Sequence, residues 1–225
     1  GLATSLGYGA QQANAGLDYV FGIPNSDNAQ VILILGITAV ALISVMRGLD
    51  GGVKRLSEIN MVLAGILLLF VVLVGPTVAI LTGFVDGLIS YGREVLPLSN
   101  PVGREDDSYR QGWTSFYWAW WISWSPFVGM FIARVSRGRT VREFIICVLI
   151  IPTIVSVFWM AAFGGAAIDQ VLNTADSAVK EYVIDSYSPE LSLFGMLSEL
   201  PLASITQFIA IILVIVFFVI SSDSG

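Results

Sequence analysis

The chain of 225 residues contains no histidine, a single cysteine (Cys147) and only 12% charged residues. Each shortage excludes something. Without histidine the usual ligand of zinc and haem sites is missing. One cysteine in an apolar stretch offers neither a disulfide framework nor a thiolate metal site, so no metal or cofactor is expected. Soluble domains carry about a quarter charged residues, so water is not the main solvent of this chain. Positive charge is scarce too: 11 Lys and Arg stand against 17 Asp and Glu. That balance excludes a nucleic-acid partner, whose phosphates need clustered Lys and Arg. The first residues, Gly-Leu-Ala-Thr, show no initiator Met, basic n-region or cleavage pattern, and so do not read as a signal peptide. With both ends falling beside helical pattern, the chain reads as an internal piece of a longer membrane protein.

What is abundant is apolar. Hydrophobic residues make up 56% of the chain, and the mean hydropathy is +0.81. A helix needs about 20 mostly apolar residues to cross a hydrocarbon core of roughly 30 Å. The stretches 29–46, 60–83, 113–133, 143–166 and 203–222 meet that demand. A further segment, 1–21, carries Thr4, Ser5, Gln11, Gln12, Asn14 and Asp18 among small residues. Its Gly1, Ser5, Gly9 and Ala13 recur every fourth position, the spacing that lets helix backbones approach closely. Such a helix suits the inside of a bundle better than a lipid-facing position. The expectation is an all-α integral membrane protein, a single partial domain over 1–225 with about six spanning helices. Residues 84–100 have apolar positions at helical spacing before Pro97. Within the external segment 84–112 they read either as an interfacial helix or as a surface loop packed on the bundle. Residues 168–190 read as a hydrophilic external loop.

The connections alternate in chemistry. Arg47, Lys54 and Arg55 lie in one, and Arg134, Arg137, Arg139 and Arg142 in another, so seven of the eleven basic residues fall in two short loops. These loops, 47–59 and 134–142, lie on the same side of a six-helix path, and the positive-inside rule makes that side cytoplasmic.

Five of the six tryptophans fall between Trp113 and Trp124, interleaved with Phe116, Tyr117 and then Phe127. Tryptophan and tyrosine collect at membrane interfaces, which accounts for Trp113, Tyr117 and Trp118. It does not account for Trp124, which at 1.5 Å per residue sits roughly 16 Å deeper than Trp113. Tyr117, Trp120 or Trp121, Trp124 and Phe127 follow the spacing of one helix face. That face is either core packing or a wall for a cation, since aromatic faces attract quaternary ammonium groups. Pro126 leaves the carbonyl of Ile122 without its amide partner, so the helix is expected to kink or loosen there. Pro152 does the same to Val148, and Gly75-Pro76 interrupts the third span.

The run WTSFYWAWWISWSPFVGMFIARVSRGRTVREFI (113–145) resembles the core motif of the betaine/choline/carnitine transporter family. The resemblance extends from GLATSLGYGAQQANAGLDYVFG through INMVLAG and LLFVVLVGPT to FFVISSDSG. It implies a piece matching the family's fifth to tenth membrane helices, within a LeuT-like core of two inverted repeats. It implies an aromatic box for a trimethylammonium group, with Trp120, Trp121 and Trp124 as matching tryptophans, Trp124 contributing directly, and Tyr117 beside them. It implies ion-coupling roles for Phe127, Ser221 and Phe217. Ile220 and Leu2 stand where sodium-coupled members carry threonine, which leaves Na+ and H+ both open as coupling ion. Arg134, Arg137, Arg139 and Arg142 match a loop that contacts terminal regulatory domains in some members.

The function so implied is secondary transport of glycine betaine, choline or carnitine across the cytoplasmic membrane, by a protein whose partners are the lipid bilayer, a quaternary ammonium substrate and, by family resemblance, two further copies in a homotrimer. The alternatives are another LeuT-fold solute transporter, or a channel-like bundle in which the tryptophans only pack. An enzyme is not expected, because the helices hold essentially no buried ionisable group.

Overall fold

The computed structural model describes residues 2–46, 54–100, 102–103 and 107–223. In chain order the helices are α1 (Leu2–Phe21), α2 (Asp27–Met46), α3 (Lys54–Val74), α4 (Thr77–Ser99), α5 (Ser115–Val135), α6 (Val141–Ile145), α7 (Ile151–Asn173), α8 (Ala178–Lys180), α9 (Ser192–Ser198) and α10 (Ala203–Asp223). Among the described residues there is no strand. The chain forms two compact units, Leu2–Gly83 with Trp159–Gly225, and Phe84–Phe158.

In the first unit α10 packs against α1, α2 and α3, and α1 also packs on α2. The small residues of α1 make this possible. Ser5 and Ala13 are buried, Gly9 lies against the Phe218 ring, and Gly16 lies against the Phe194 ring, with no room for a Cβ at either glycine. Gly1, the first member of that spacing, lies outside the described residues. Asn14 is fully buried and fixes the turn into α2: its Nδ2 donates to the Pro24 carbonyl at 3.3 Å and its Oδ1 accepts the Ser26 amide at 3.1 Å.

The expected span 60–83 is two helices. α3 ends at Val74 and α4 begins at Thr77. Pro76 cannot donate to the Val72 carbonyl, and Thr77 Oγ1 donates to it instead at 2.6 Å. The amide of Ile80 then returns to the Pro76 carbonyl at 2.9 Å, starting a new helix. No breaker follows until Pro97, so 84–99, expected as an interfacial helix or a loop, is the continuation of α4.

The expected loop 168–190 is also mostly structured. α7 runs to Asn173, followed by α8, a π-helical turn Glu181–Asp185, a 3-10 turn Pro189–Leu191 and α9. Val179 from this stretch, with Phe194, Met196 and Leu197 just after it, is buried in one cluster with Ala162, Ala166, Ala210 and Ile211. Its polar surface residues hide an apolar underside that has no regular period.

In the second unit α5 is preceded by a π-helical turn Arg110–Thr114, and α6 runs through another, Ile146–Ile150, into α7. There the amide of Ile151 reaches back five residues to the Ile146 carbonyl. This wider turn lets the helix continue past Pro152. α6 opens on a capping box in which Thr140 and Glu143 satisfy each other's backbone amides. Val141–Asn173 thus forms one run of 33 residues, and with α2, α3 and Ala203–Ser222 it is long and apolar enough to cross a membrane. α5, of 21 residues, has a lower hydropathy than these four because of its tryptophans, tyrosine, serines and proline.

Candidate aromatic site on α5

α5 is one continuous helix from Ser115 to Val135 with Pro126 inside it. The helix is not broken at the deep tryptophan. The Ile122 carbonyl, freed by Pro126, accepts from Ser125 Oγ at 3.0 Å, and the Trp120 carbonyl accepts from Ser123 Oγ at 2.7 Å. Both hydroxyls are consumed by the backbone, which leaves the exterior of this stretch to the aromatic rings.

Trp120, Trp124, Phe127, Val128 and Ile132 are half-buried while their neighbours are exposed. At about 100° per residue, Trp120, Trp124 and Phe127 fall within roughly 60° of one another on the helix circumference. The rings are set edge to face. Trp124 and Phe127 have centroids 5.5 Å apart at 79°, and Phe116 and Trp120 are 5.4 Å apart at 75°. Edge-to-face pairing aims the positive edge of one ring at the negative face of the next. One turn earlier Tyr117 stacks on Trp113 at 6.1 Å. Trp121 is 72% exposed, lies in the next sector of the helix, and joins none of the ring contacts among the described residues.

Of the expected binding residues, the structure therefore puts Trp120, Trp124 and Phe127 on one face with Tyr117 beside it, and turns Trp121 outward. Trp124 Nε1 is buried with no hydrogen-bond partner among the described residues.

Phe217 and Ser221 belong to the other unit, one turn apart on α10. Phe217 is exposed and meets Phe218 edge to face at 5.4 Å, and Ser221 is half-buried. The side chain of Leu2 lies outside the described residues. Arg134, Arg137, Arg139 and Arg142 are exposed, and Arg134 and Arg137 line an open cavity of about 490 Å³ with Met130 and Ala133. Glu143 is occupied by Thr140. The ion pair among the described residues is Arg110–Asp107; Arg139 acts electrostatically on the Glu143 carboxylate without forming such a pair. In the other basic loop, 47–53 lie outside the described residues.

Reading the sequence missed the serines and the threonine that relieve the prolines, although each stands beside its proline. It also missed Gln170 and Gln207, polar residues inside long apolar helices, whose cost in such a position was the available signal.

Residues 1–225 match the family described as BCCT, betaine/carnitine/choline family transporter. The whole chain is 64% identical to part of a glycine betaine/proline/choline transporter of Vibrio parahaemolyticus, of which it covers 40%. It is 55% identical to glycine betaine transporter 1 of the same organism, covering 42%. It is 48% identical to the glycine betaine transporter OpuD of Bacillus subtilis, covering 43%. The chain thus spans about two fifths of the length of these relatives. A match over every residue, on a helical chain with membrane-length apolar helices, shows that the chain belongs to the betaine/carnitine/choline family of transporters.

Proposed function

We propose that the protein containing this chain is a secondary active transporter of quaternary ammonium solutes of the glycine betaine, choline or carnitine type, working in the cytoplasmic membrane. The observation that carries the reading is the half-buried aromatic face of Trp120, Trp124 and Phe127 on a chain whose relatives are named for glycine betaine and choline. A trimethylammonium group has no N–H to satisfy. It loses little hydrogen bonding on leaving water, and a desolvated π face returns about 2 kcal/mol or more per good contact. Binding of that kind holds the solute without preventing its release on the other side. Tyr117 and Trp121 extend the aromatic surface, and helices outside this chain complete the box.

The helices fit a partial transporter domain, part of a LeuT-like core of inverted repeats in which one group of helices rocks against another. The coupling ion is Na+ or H+. Ser221 keeps a hydroxyl for it on α10 and Ile220 offers none, while Phe217 and Phe127 carry the ion-coupling roles that the family resemblance implies. The exposed arginines 134, 137, 139 and 142 form a cytoplasmic surface for anionic lipid or for the protein's own terminal regions. The assembly is a homotrimer.

The test is uptake of labelled glycine betaine by the full-length protein in cells lacking other betaine uptake. Trp124→Leu should abolish uptake while leaving the amount of protein in the membrane unchanged. Normal uptake by that variant overturns the site. Replacing sodium while imposing a pH gradient separates the two coupling ions.

A further inference from the structure

Between α7 and α10 the chain folds into a strap, Ser177–Leu200, that lies over the end of the first unit where α1 and α7 finish and α10 starts. Phe194 is fully buried and rests on Gly16, where a Cβ would overlap its ring. Tyr19 meets Tyr182 edge to face at 5.9 Å. The last carbonyls of the short helix α9 have no partner within the helix, and side chains serve them instead. Gln207 Nε2 donates to the Phe194 carbonyl at 3.0 Å, Ser198 Oγ to Gly195 at 2.7 Å, and Gln170 Nε2 to Met196 at 3.0 Å.

These bonds leave oxygen atoms gathered at one end of α9. Gln170 must present its amide nitrogen to Met196, so its Oε1 is turned elsewhere. That oxygen is buried with no hydrogen-bond partner among the described residues, and so is Ser177 Oγ. The two residues are only 9% and 2% exposed. Ser177 stands before α8, where a serine ordinarily caps the helix, yet its side chain makes no cap. Glu199 Oε1 accepts the Ala178 amide at 2.7 Å in its place, which brings a carboxylate beside Ser177. Glu199 is also the C-cap of α9, three residues after the Met196 that holds Gln170. A carboxylate there meets the negative end of the helix dipole. No basic side chain offsets it, because the ion pair among the described residues is Arg110–Asp107.

Two buried oxygens without donors and a carboxylate at a negative pole each carry a cost. A hard cation binds carboxylate, amide and hydroxyl oxygens, and one such ion would relieve all three. Glu199 is half-buried, so the corner is open to an ion on one side. We propose that Gln170 Oε1, Ser177 Oγ and the Glu199 carboxylate form a site for a hard metal cation, Na+ or Ca2+, at the root of the strap. Amide and hydroxyl ligands spread over α7, the strap and the end of α9 leave no motif in the sequence. The site does not rest on the transporter reading above.

The experiment is thermal unfolding of the full-length protein in detergent, titrated with NaCl or CaCl2 against N-methyl-D-glucamine chloride at equal ionic strength. At least one of the two metal ions should raise the unfolding temperature saturably, as a ligand of the folded state does. Glu199→Gln keeps an oxygen for the Ala178 amide but loses the charge, and should weaken the apparent affinity at least about tenfold. Ser177→Ala should be neutral or stabilising without metal ions, since it removes a buried hydroxyl that has no partner, and should lower the affinity with them. No rise with either ion overturns the site. A rise kept in full by both variants assigns the ion to another place and also overturns it. An equal loss from Ser177→Ala with and without metal ions shows a hydroxyl held by ordered water only, with the same consequence. Uptake plays no part in these readings, so a protein that takes up no betaine removes the transporter reading and leaves the site standing.

Discussion

The hydroxyl of Ser125 donates to the carbonyl of Ile122 at 3.0 Å, the carbonyl that Pro126 leaves without an amide. Thr77 does the same for Val72 at 2.6 Å beside Pro76. In lipid an unpaired backbone carbonyl is costly because no water replaces the lost donor. A hydroxyl next to the proline removes that cost, and α5 stays helical through its aromatic stretch. Ser125→Ala is therefore expected to destabilise the protein by about 1 kcal/mol or more. The same change in a Pro126→Ala background should cost almost nothing, because alanine in place of the proline restores the amide. Thermal unfolding of the four proteins in detergent checks this double-mutant cycle. Equal costs in both backgrounds would show that Ser125 acts in some other way.

Gly9 and Gly7 stand two residues apart on α1 and should respond oppositely to alanine. A Cβ at Gly9 runs into the Phe218 ring of α10, whereas nothing lies within 4 Å of one at Gly7. Gly9→Ala should cost about 1–3 kcal/mol through overpacking. Gly7→Ala should be neutral or stabilise by about 0.5–1 kcal/mol, since glycine is a poor helix former. The comparison is made by thermal unfolding of each variant in the same detergent. A loss at Gly7 as large as at Gly9 would mean that the α1–α10 contact does not set the cost, since helix propensity favours alanine at both positions.

How legible the molecule was depends on whether burial follows a period. Ser5, Gly9 and Ala13 announce the buried side of α1 because small residues at a four-residue spacing have one structural use in a membrane helix. The strap announces nothing. Its buried Phe194, Met196 and Leu197 sit in a short helix after irregular turns, among Asp176, Glu181, Asp185 and Glu190, so the segment reads as a polar loop. The break at Gly75-Pro76 was visible, but nothing in the sequence says whether a membrane helix bends at a proline or restarts after it. At the aromatic site, helical spacing groups Trp124 with Phe127 yet admits either Trp120 or Trp121. Burial separates those two, and burial depends on what packs around α5.

The tyrosine pair beneath the strap gives the fold a sensitivity to alkali. Burial pushes the Tyr182 phenol above its ordinary value of 10.0, and the neighbouring Tyr19 and the charge of Glu181 push the same way. The folded protein therefore holds this proton more tightly than the unfolded chain. The resulting stability is complete below the unfolded phenol's pKa and is lost as pH rises from there through the folded value. Unfolding temperature should fall as pH rises through about 10 and above, and Tyr182→Phe should flatten that fall. An unchanged slope in Tyr182→Phe would assign the alkaline loss to other groups.

If the α5 face binds its solute through charge on π electrons, removing the charge and keeping the shape should abolish the preference. The compound 3,3-dimethylbutanoate carries a tert-butyl group where glycine betaine carries trimethylammonium, with the same carboxylate. A contact worth about 2 kcal/mol predicts that it competes for betaine binding at least tenfold less well. The gap should shrink in Trp120→Leu and Trp124→Leu, whose side chains lie on the half-buried face. It should stay in Trp118→Leu, because Trp118 is 66% exposed and lies about 120° or more around the helix from Trp124. Competition binding to the purified full-length protein measures all of these ratios. Equal competition by the two compounds would mean that the tryptophans contribute shape alone. A gap that survives Trp124→Leu but closes in Trp121→Leu would move the cation to the outward-facing side of α5.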